Sequence, residues 1–255
     1  MKSETAHDPV PILLKGFCLG SAARLYGELL PKAQAEGWTH PQFLRELLTA
    51  EYQDRQERLT QRLLKEAQLP PGKTLAIMDE NCLPAKVRRQ LPALLEGAFV
   101  KQAVNILAFG LPGRGKTHFL AALGHELILR QHVRVLFTPT FKLVGQLLRA
   151  KTENRLAETL KKLDRFEVMI LDDIGYVQQS REEMEVLFTF LAERYERKSL
   201  MISSNLVFSQ WDKIFKDPMT TLAAIDRLVH HSIILEFDGA ESIRTRKTKS
   251  KEAPG

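Results

Sequence analysis

The chain has 255 residues, 44% of them hydrophobic, enough apolar material for one large folded domain or two small ones, and disorder is not its default state. Its 37 Lys and Arg against 31 Asp and Glu leave a net charge of +6 and a pI near 9.3, a balance that favours a polyanionic partner, nucleic acid first. Cys18 and Cys82 lie far apart without His or Cys neighbours at ligand spacing, which argues against a zinc site or a disulfide framework and leaves buried free thiols as the expectation.

Ile12-Leu13-Leu14 is too short for the apolar core of a signal peptide, and no apolar run approaches the ~20 residues of a membrane helix. A cytoplasmic protein without a membrane partner is expected. From Ser21 to about Ala67 the pattern is helical. Leu25, Leu29 and Leu30 form one stripe, Gly37 stops it, and Thr39 and Gln42 in capping-box relation with Pro41 start a second helix. Its middle, Gln53 to Arg58, is wholly polar, so that helix is half solvated. Pro70-Pro71-Gly72 breaks it. We read residues 1–70 as an N-terminal helical domain and 71–98 as a linker with short helical pieces at Lys86–Leu91 and Leu94–Phe99.

Beyond it, short apolar strands alternate with helices: Asn105–Phe109, Val133–Thr138, Val168–Asp172, Ser199–Ser203 and Ser232–Phe237. Such alternation predicts a parallel α/β sheet covered on both faces, over residues 99–240. The remaining stretch, 241–255, includes Arg244-Thr-Arg-Lys-Thr-Lys-Ser-Lys251, a basic tail without apolar periodicity, expected to be disordered.

The run Gly110-Leu111-Pro112-Gly113-Arg114-Gly115-Lys116-Thr117, continued by His118, lies between a predicted strand and a predicted helix, the setting of a phosphate-binding loop. Gly113 and Gly115 permit positive φ, so that backbone N–H groups turn into a concavity and the helix N-terminus adds its positive end. Lys116 is expected to reach the β- and γ-phosphates of ATP, and the Thr117 hydroxyl to take a Mg²⁺ position. A tight strand-to-helix turn would explain the glycines but not Lys-Thr in register.

Val168–Leu171 reads as a buried strand ending in Asp172-Asp173, and two carboxylates there are costly unless a cation or water chemistry uses them. Asp172 is the expected Mg²⁺ holder. Asp173 is the candidate that orients or deprotonates the attacking water, which suits hydrolysis better than transfer to a small acceptor. Asn205, at the end of the next strand, offers a donor and an acceptor that can sense the γ-phosphate. From spacing alone, Arg227 beside Asp226 reads as a surface ion pair.

Taken together, the helical stretch with Phe43–Leu48 and Glu51–Leu64, the run Gly110–Leu123, Asp172-Asp-Ile-Gly175, Ser203-Ser-Asn205 and Asp226-Arg-Leu228 resemble the IstB-like helper ATPases of insertion-sequence transposition, relatives of the DnaC helicase loaders within the AAA+ class. The resemblance covers nearly the whole chain. It implies a five-stranded AAA+ domain behind a small helical domain, a sensor role for Asn205, and an arginine-finger role for Arg227 in a neighbouring subunit's ATP site. It also implies an ATP-dependent oligomer on duplex DNA that recruits or stimulates a transposase. A DnaC-like loader of a replicative helicase is the alternative. Asp173 stands where many AAA+ proteins have Glu, which implies a bridging water and slow turnover, and Arg244 is the one candidate for a lid-side phosphate contact.

The candidate DNA-facing residues are Lys142, Arg149 and Lys151 on a helix where 142 and 149 share a face, and Arg55, Arg58 and Arg62 on the long N-terminal helix. A solvated face is the competing account of both sets. They would hold phosphates rather than read bases. A P-loop kinase of small molecules would need converging substrate-lid arginines, absent from the sequence between the third and fourth strands; a nucleotide-binding scaffold without turnover is the remaining rival.

Overall fold

A computed structural model describes residues 8–175, 180–206 and 228–237, and the chain divides into two compact units, Met1–Arg62 and Leu63–Gly255. The first unit is helical: α1 (Val10–Gly16), α2 (Gly20–Ala35) and most of α3 (His40–Glu66). Gly37, at φ 66°, follows the end of α2, and the Gln42 amide donates to Thr39 Oγ1 at 3.4 Å at the start of α3.

Glu51 of α3 holds these helices together. Its buried carboxylate accepts the backbone N–H groups of Ser21 (2.8 Å) and Ala22 (3.1 Å), which lie in the first turn of α2 and have no helical acceptor. Its other oxygen accepts Arg55 Nε at 2.8 Å, and Arg55 also donates to the Cys18 carbonyl at 2.7 Å. Burial pushes the Glu51 carboxyl up, but the Ala22 amide, Arg55 and the Ser21 amide outweigh it and hold the group below its ordinary range.

The structure departs from the sequence reading in two places. Helix α1 was not anticipated, because it buries none of its residues and Ile12 and Leu13 stay exposed, so no amphipathic period announces it. The thiols are not buried either: Cys18 is exposed and Cys82 half-buried. Cys18 occupies the turn between α1 and α2 at φ 58°, where the chain reverses at the surface.

In the second unit, single turns of 3₁₀ helix at Leu75–Ile77 and Glu80–Cys82 lead to α4 (Ala85–Leu95) and α5 (Ala98–Lys101). Five strands follow, interleaved with helices: β1 (Asn105–Phe109), α6 (Lys116–Gln131), β2 (Val135–Pro139), α7 (Thr140–Thr152), α8 (Leu156–Leu163), β3 (Val168–Asp172), α9 (Arg181–Arg194), β4 (Ser199–Ser204) and β5 (Ser232–Glu236). All five lie where the apolar runs place them, with ends moved by up to two residues. The runs are nearly continuous rather than alternating because both faces of a parallel sheet are covered, here by α6 on one side and by α7 and α9 on the other. Helix α9 starts at a complete capping box, Ser180 with Glu183.

The sheet is fully parallel in the order β2-β3-β4-β1-β5. Strand β4 follows β3 in sequence yet lies between β3 and β1. Its carboxyl end therefore falls between the loop after β1 and the acids that end β3. Arg194, at the end of α9, is buried and donates to the carbonyls of Leu163, Phe166, Glu167 and Ser199 at 3.0–3.4 Å, tying the α8–β3 connection to β4. Burial, only partly offset by Asp164, lowers its guanidinium to about 10.

Candidate functional site

The loop after β1 turns on three glycines at positive φ: Gly110 at 143°, Gly113 at 80° and Gly115 at 89°. Gly110 has a second reason to be glycine, because a Cβ there would lie 3.0 Å from both Cβ and the carbonyl oxygen of Phe237, just past β5. Helix α6 opens directly from the loop, with Phe119 N–H bonded to Gly115 C=O at 2.8 Å. Amides of a helix's first turn lack helical acceptors and, with the helix dipole, suit an anion.

Lys116 is buried, and its Nζ donates to the carbonyls of Gly110 (2.6 Å) and Leu111 (3.0 Å) and to Asn205 Oδ1 (2.8 Å). Those acceptors are neutral, so the ammonium charge is solvated without being cancelled by them. Asn205 Nδ2 donates in turn to Asp173 Oδ2 at 3.0 Å, and only this amide orientation satisfies both neighbours. Asn205 thereby links the phosphate-loop lysine to the acidic pair across β4.

Asp172 Oδ1 accepts the hydroxyls of Thr117 (2.7 Å) and Ser203 (2.6 Å), while its backbone carbonyl accepts Thr140 Oγ1 at 3.1 Å. Asp173 takes the left-handed backbone region, φ 58°, uncommon outside glycine but better tolerated by Asp than by most side chains. Its N–H donates to Ser203 Oγ at 2.8 Å, and the Ile174 N–H donates to the Ser203 carbonyl at 3.0 Å, so Ser203 holds this turn from two sides. Asp173 Oδ1 is buried and has no hydrogen-bond partner among the described residues. Burial first, then the charge of Asp172, raises the Asp173 carboxyl above its ordinary range; Lys116, the Gly175 amide and Asn205 oppose this without reversing it.

These groups surround a cavity of about 320 Å³ lined by Pro112, Gly113, Gly115, Lys116, Thr117, His118, Asp172, Asp173, Ser203, Asn205 and Lys73. Gly110, Leu111 and Arg114 do not line it; the first two serve it through their carbonyls to Lys116. His118 Nε2 lies 3.1 Å from the Thr74 carbonyl oxygen. The donor set fits a magnesium nucleotide: a cationic loop with helix amides for phosphates, and the Thr117 hydroxyl and Asp172 carboxylate as hard oxygen ligands 2.7 Å apart.

Two lining residues escaped the sequence reading. Ser203 was available from strand alternation, because Ser203 and Asn205, just past the end of β4, line the same cavity while Ser204 turns away to Leu206. Lys73 follows Pro70-Pro71-Gly72, which reads only as a linker. Arg227 and Arg244 lie outside the described residues.

The six basic candidates for DNA divide by their surroundings. Arg55 is bound to Glu51, Arg58 to Asp54 (2.7 Å) and Lys151 to Glu185 (2.8 Å). Arg62, Lys142 and Arg149 are exposed, and their side chains form no hydrogen bond or ion pair with the described residues. Among the described residues, no helix is long and apolar enough to cross a membrane.

Comparison with known proteins agrees with this geometry. Residues 13–252 match the family model described as IstB-like ATP binding protein. A Sinorhizobium fredii protein named for an insertion sequence and for ATP binding is 42% identical over 236 residues, covering 92% of this chain and 78% of that one. A Pseudomonas aeruginosa protein named for insertion sequence IS21 and ATP binding is 38% identical over 221 residues, covering 87% and 83%. Among solved structures, the DnaC helicase loader superposes with a TM-score of 0.51 at 18% identity over 59% of this chain and 88% of that one, a likeness of AAA+ fold. Sequence and fold together place this chain in the IstB-like ATP-binding protein family.

Proposed function

We propose that this chain is an ATPase switch that assembles on duplex DNA in its ATP state, recruits or stimulates a transposase, and leaves the DNA on hydrolysis. The observation that carries the ATPase reading is the Asn205 bridge between Lys116 and Asp173. A γ-phosphate offers Lys116 a charged acceptor in place of the Asn205 amide oxygen, which frees that oxygen to hold a water while Nδ2 keeps Asp173 in place. Asp173, raised by burial and with one buried oxygen unbonded, orients that water and receives its proton.

Thr117 and Asp172 would hold Mg²⁺, which supplies charge stabilisation at the β- and γ-phosphates. The loop from Gly110 to Gly115 and the start of α6 at His118 would cradle the phosphates, with Lys73 at the cavity wall as a further cation. Arg227, as the resemblance implies, would complete the site from a neighbouring subunit, so assembly and turnover are coupled. The domain division we propose, a helical docking unit ahead of the ATPase unit, assigns contact with DNA or transposase to the first and nucleotide control to the second.

Membership of a family named for insertion sequences and ATP binding supports the DNA and transposase parts, as does the net charge of +6. Sedimentation of the protein with duplex or single-stranded DNA, under ATP, ADP or no nucleotide and at two salt concentrations, tests the reading. Large complexes on duplex with ATP are expected. A preference for single strands would favour the helicase-loader alternative, and no DNA binding with ATP affinity intact would leave a switch acting on protein alone.

A further inference from the structure

The outer face of α7 carries Phe141, Lys142, Gly145, Gln146 and Arg149, opposite the buried Leu143, Val144 and Leu147. This face is one wall of a cleft of about 450 Å³ that is also lined by Glu153 and Arg155 in the turn before α8 and by Thr159 within it. Phe141 is 58% exposed within it. Lys142 and Arg149, unpaired among the described residues, stand seven positions apart, about 10 Å along the helix, or about three base steps of one DNA strand.

Gly145 sits between Phe141 and Arg149, one turn from each. Glycine inside a helix is unfavourable, and an added Cβ here would meet nothing within 4 Å, so no contact among the described residues requires it. It leaves the α7 wall of the cleft open for close approach by something flat. A lone exposed Phe is ordinary on a protein surface. A Phe beside a bare stretch of cleft wall, with two cations unpaired among the described residues, has the chemistry of a base-stacking platform flanked by phosphate contacts.

We propose that this cleft takes DNA by wedging Phe141 against an opened base step while Lys142 and Arg149 hold the flanking phosphates. The inference rests on the DNA-binding reading above and deepens it from phosphate contact to local unstacking of the duplex. An acidic peptide is the poorer fit, because the apolar contribution is one planar ring rather than a row of pockets. The cleft also adjoins the nucleotide site through the chain itself: Thr140, next to Phe141, donates its hydroxyl to the Asp172 carbonyl. A base step opened at Phe141 is therefore one residue removed from the acidic pair.

The test uses the full chain with ATP and Mg²⁺ on duplexes that carry 2-aminopurine at successive positions, with affinity and base fluorescence measured together. Wild type is expected to raise the fluorescence severalfold at one or a few steps. Phe141→Ala should abolish that rise and weaken duplex binding roughly tenfold, with ATPase activity in the absence of DNA unchanged; Phe141→Trp should restore the signal. Gly145→Ala should raise thermal stability yet lower duplex affinity. Duplex binding and fluorescence that are both unchanged in Phe141→Ala would overturn the wedge while leaving DNA binding standing. Failure of the wild type to bind duplex in any nucleotide state would overturn both, and capture of acidic peptides instead would reassign the cleft.

Discussion

The carboxyl end of the sheet and the outer face of α7 both concentrate polar groups, and they treat them in opposite ways. At the sheet end Lys116 is bonded to Asn205, and Thr117 and Ser203 to Asp172, at 2.6–2.8 Å, and the one buried carboxylate oxygen left without a partner among the described residues is on Asp173. On α7, Lys142 and Arg149 face solvent without partners among the described residues. Burial enforces the first pattern, since each unpaired polar group there would cost about 1–3 kcal/mol. Water permits the second, and what it leaves unpaired is available to a partner.

The largest expected effect tests the leftover oxygen. Asp173→Asn should lower ATP turnover by roughly 10²- to 10⁴-fold while ATP binding, followed by titration calorimetry, persists. Unchanged turnover would reduce the sheet end to a binding scaffold. The same group sets a pH dependence: Asp173 is active when ionised and its carboxyl is raised, so the acidic limb of the wild-type rate should lie above the ordinary aspartate range, activity falling as pH drops through it. A limb at about pH 3.9 would remove burial from the mechanism.

Ser203→Ala should act more mildly. It removes the hydroxyl that joins Asp172 Oδ1 to the Asp173 amide, so we expect roughly a tenfold loss in kcat with a higher Mg²⁺ requirement and little change in ATP affinity, and partial rescue by Ser203→Thr. An equal loss in Ser203→Thr would mean that packing, not the hydroxyl, matters there. Smallest is the contrast on α7 and its end: Arg149→Ala should reduce the salt slope of duplex binding by about 1, and Lys151→Ala, whose ammonium is held by Glu185, by less. Equal slopes would erase the distinction between paired and unpaired cations.

The same asymmetry governs how much could be read in advance. The five strands and the phosphate loop were visible because buried parallel strands demand unbroken apolar runs and the loop demands glycine at particular φ values. Ser203 was harder, since its role depends on β4 lying between β3 and β1, an order that spacing along the chain does not contain. Lys73 reaches the site only because the segment after Pro70-Pro71-Gly72 folds back over α6, where Thr74 meets His118. On the surface, sequence alone could not separate Lys151 from Arg149, because an ion pair with Glu185 joins residues 34 positions apart.

The fit of Gly110 beneath Phe237 ties the phosphate loop to the last strand. Phe237 also donates its N–H to the Phe109 carbonyl at 2.7 Å and sets its ring edge-on to Phe119 at the start of α6, so one late residue braces the loop on both flanks. More than 120 residues separate brace and loop, a long-range closure that is slow to form. A chain that lacks Phe237 carries every glycine of the loop without this brace, so stabilisation by nucleotide is expected only where the last strand is in place.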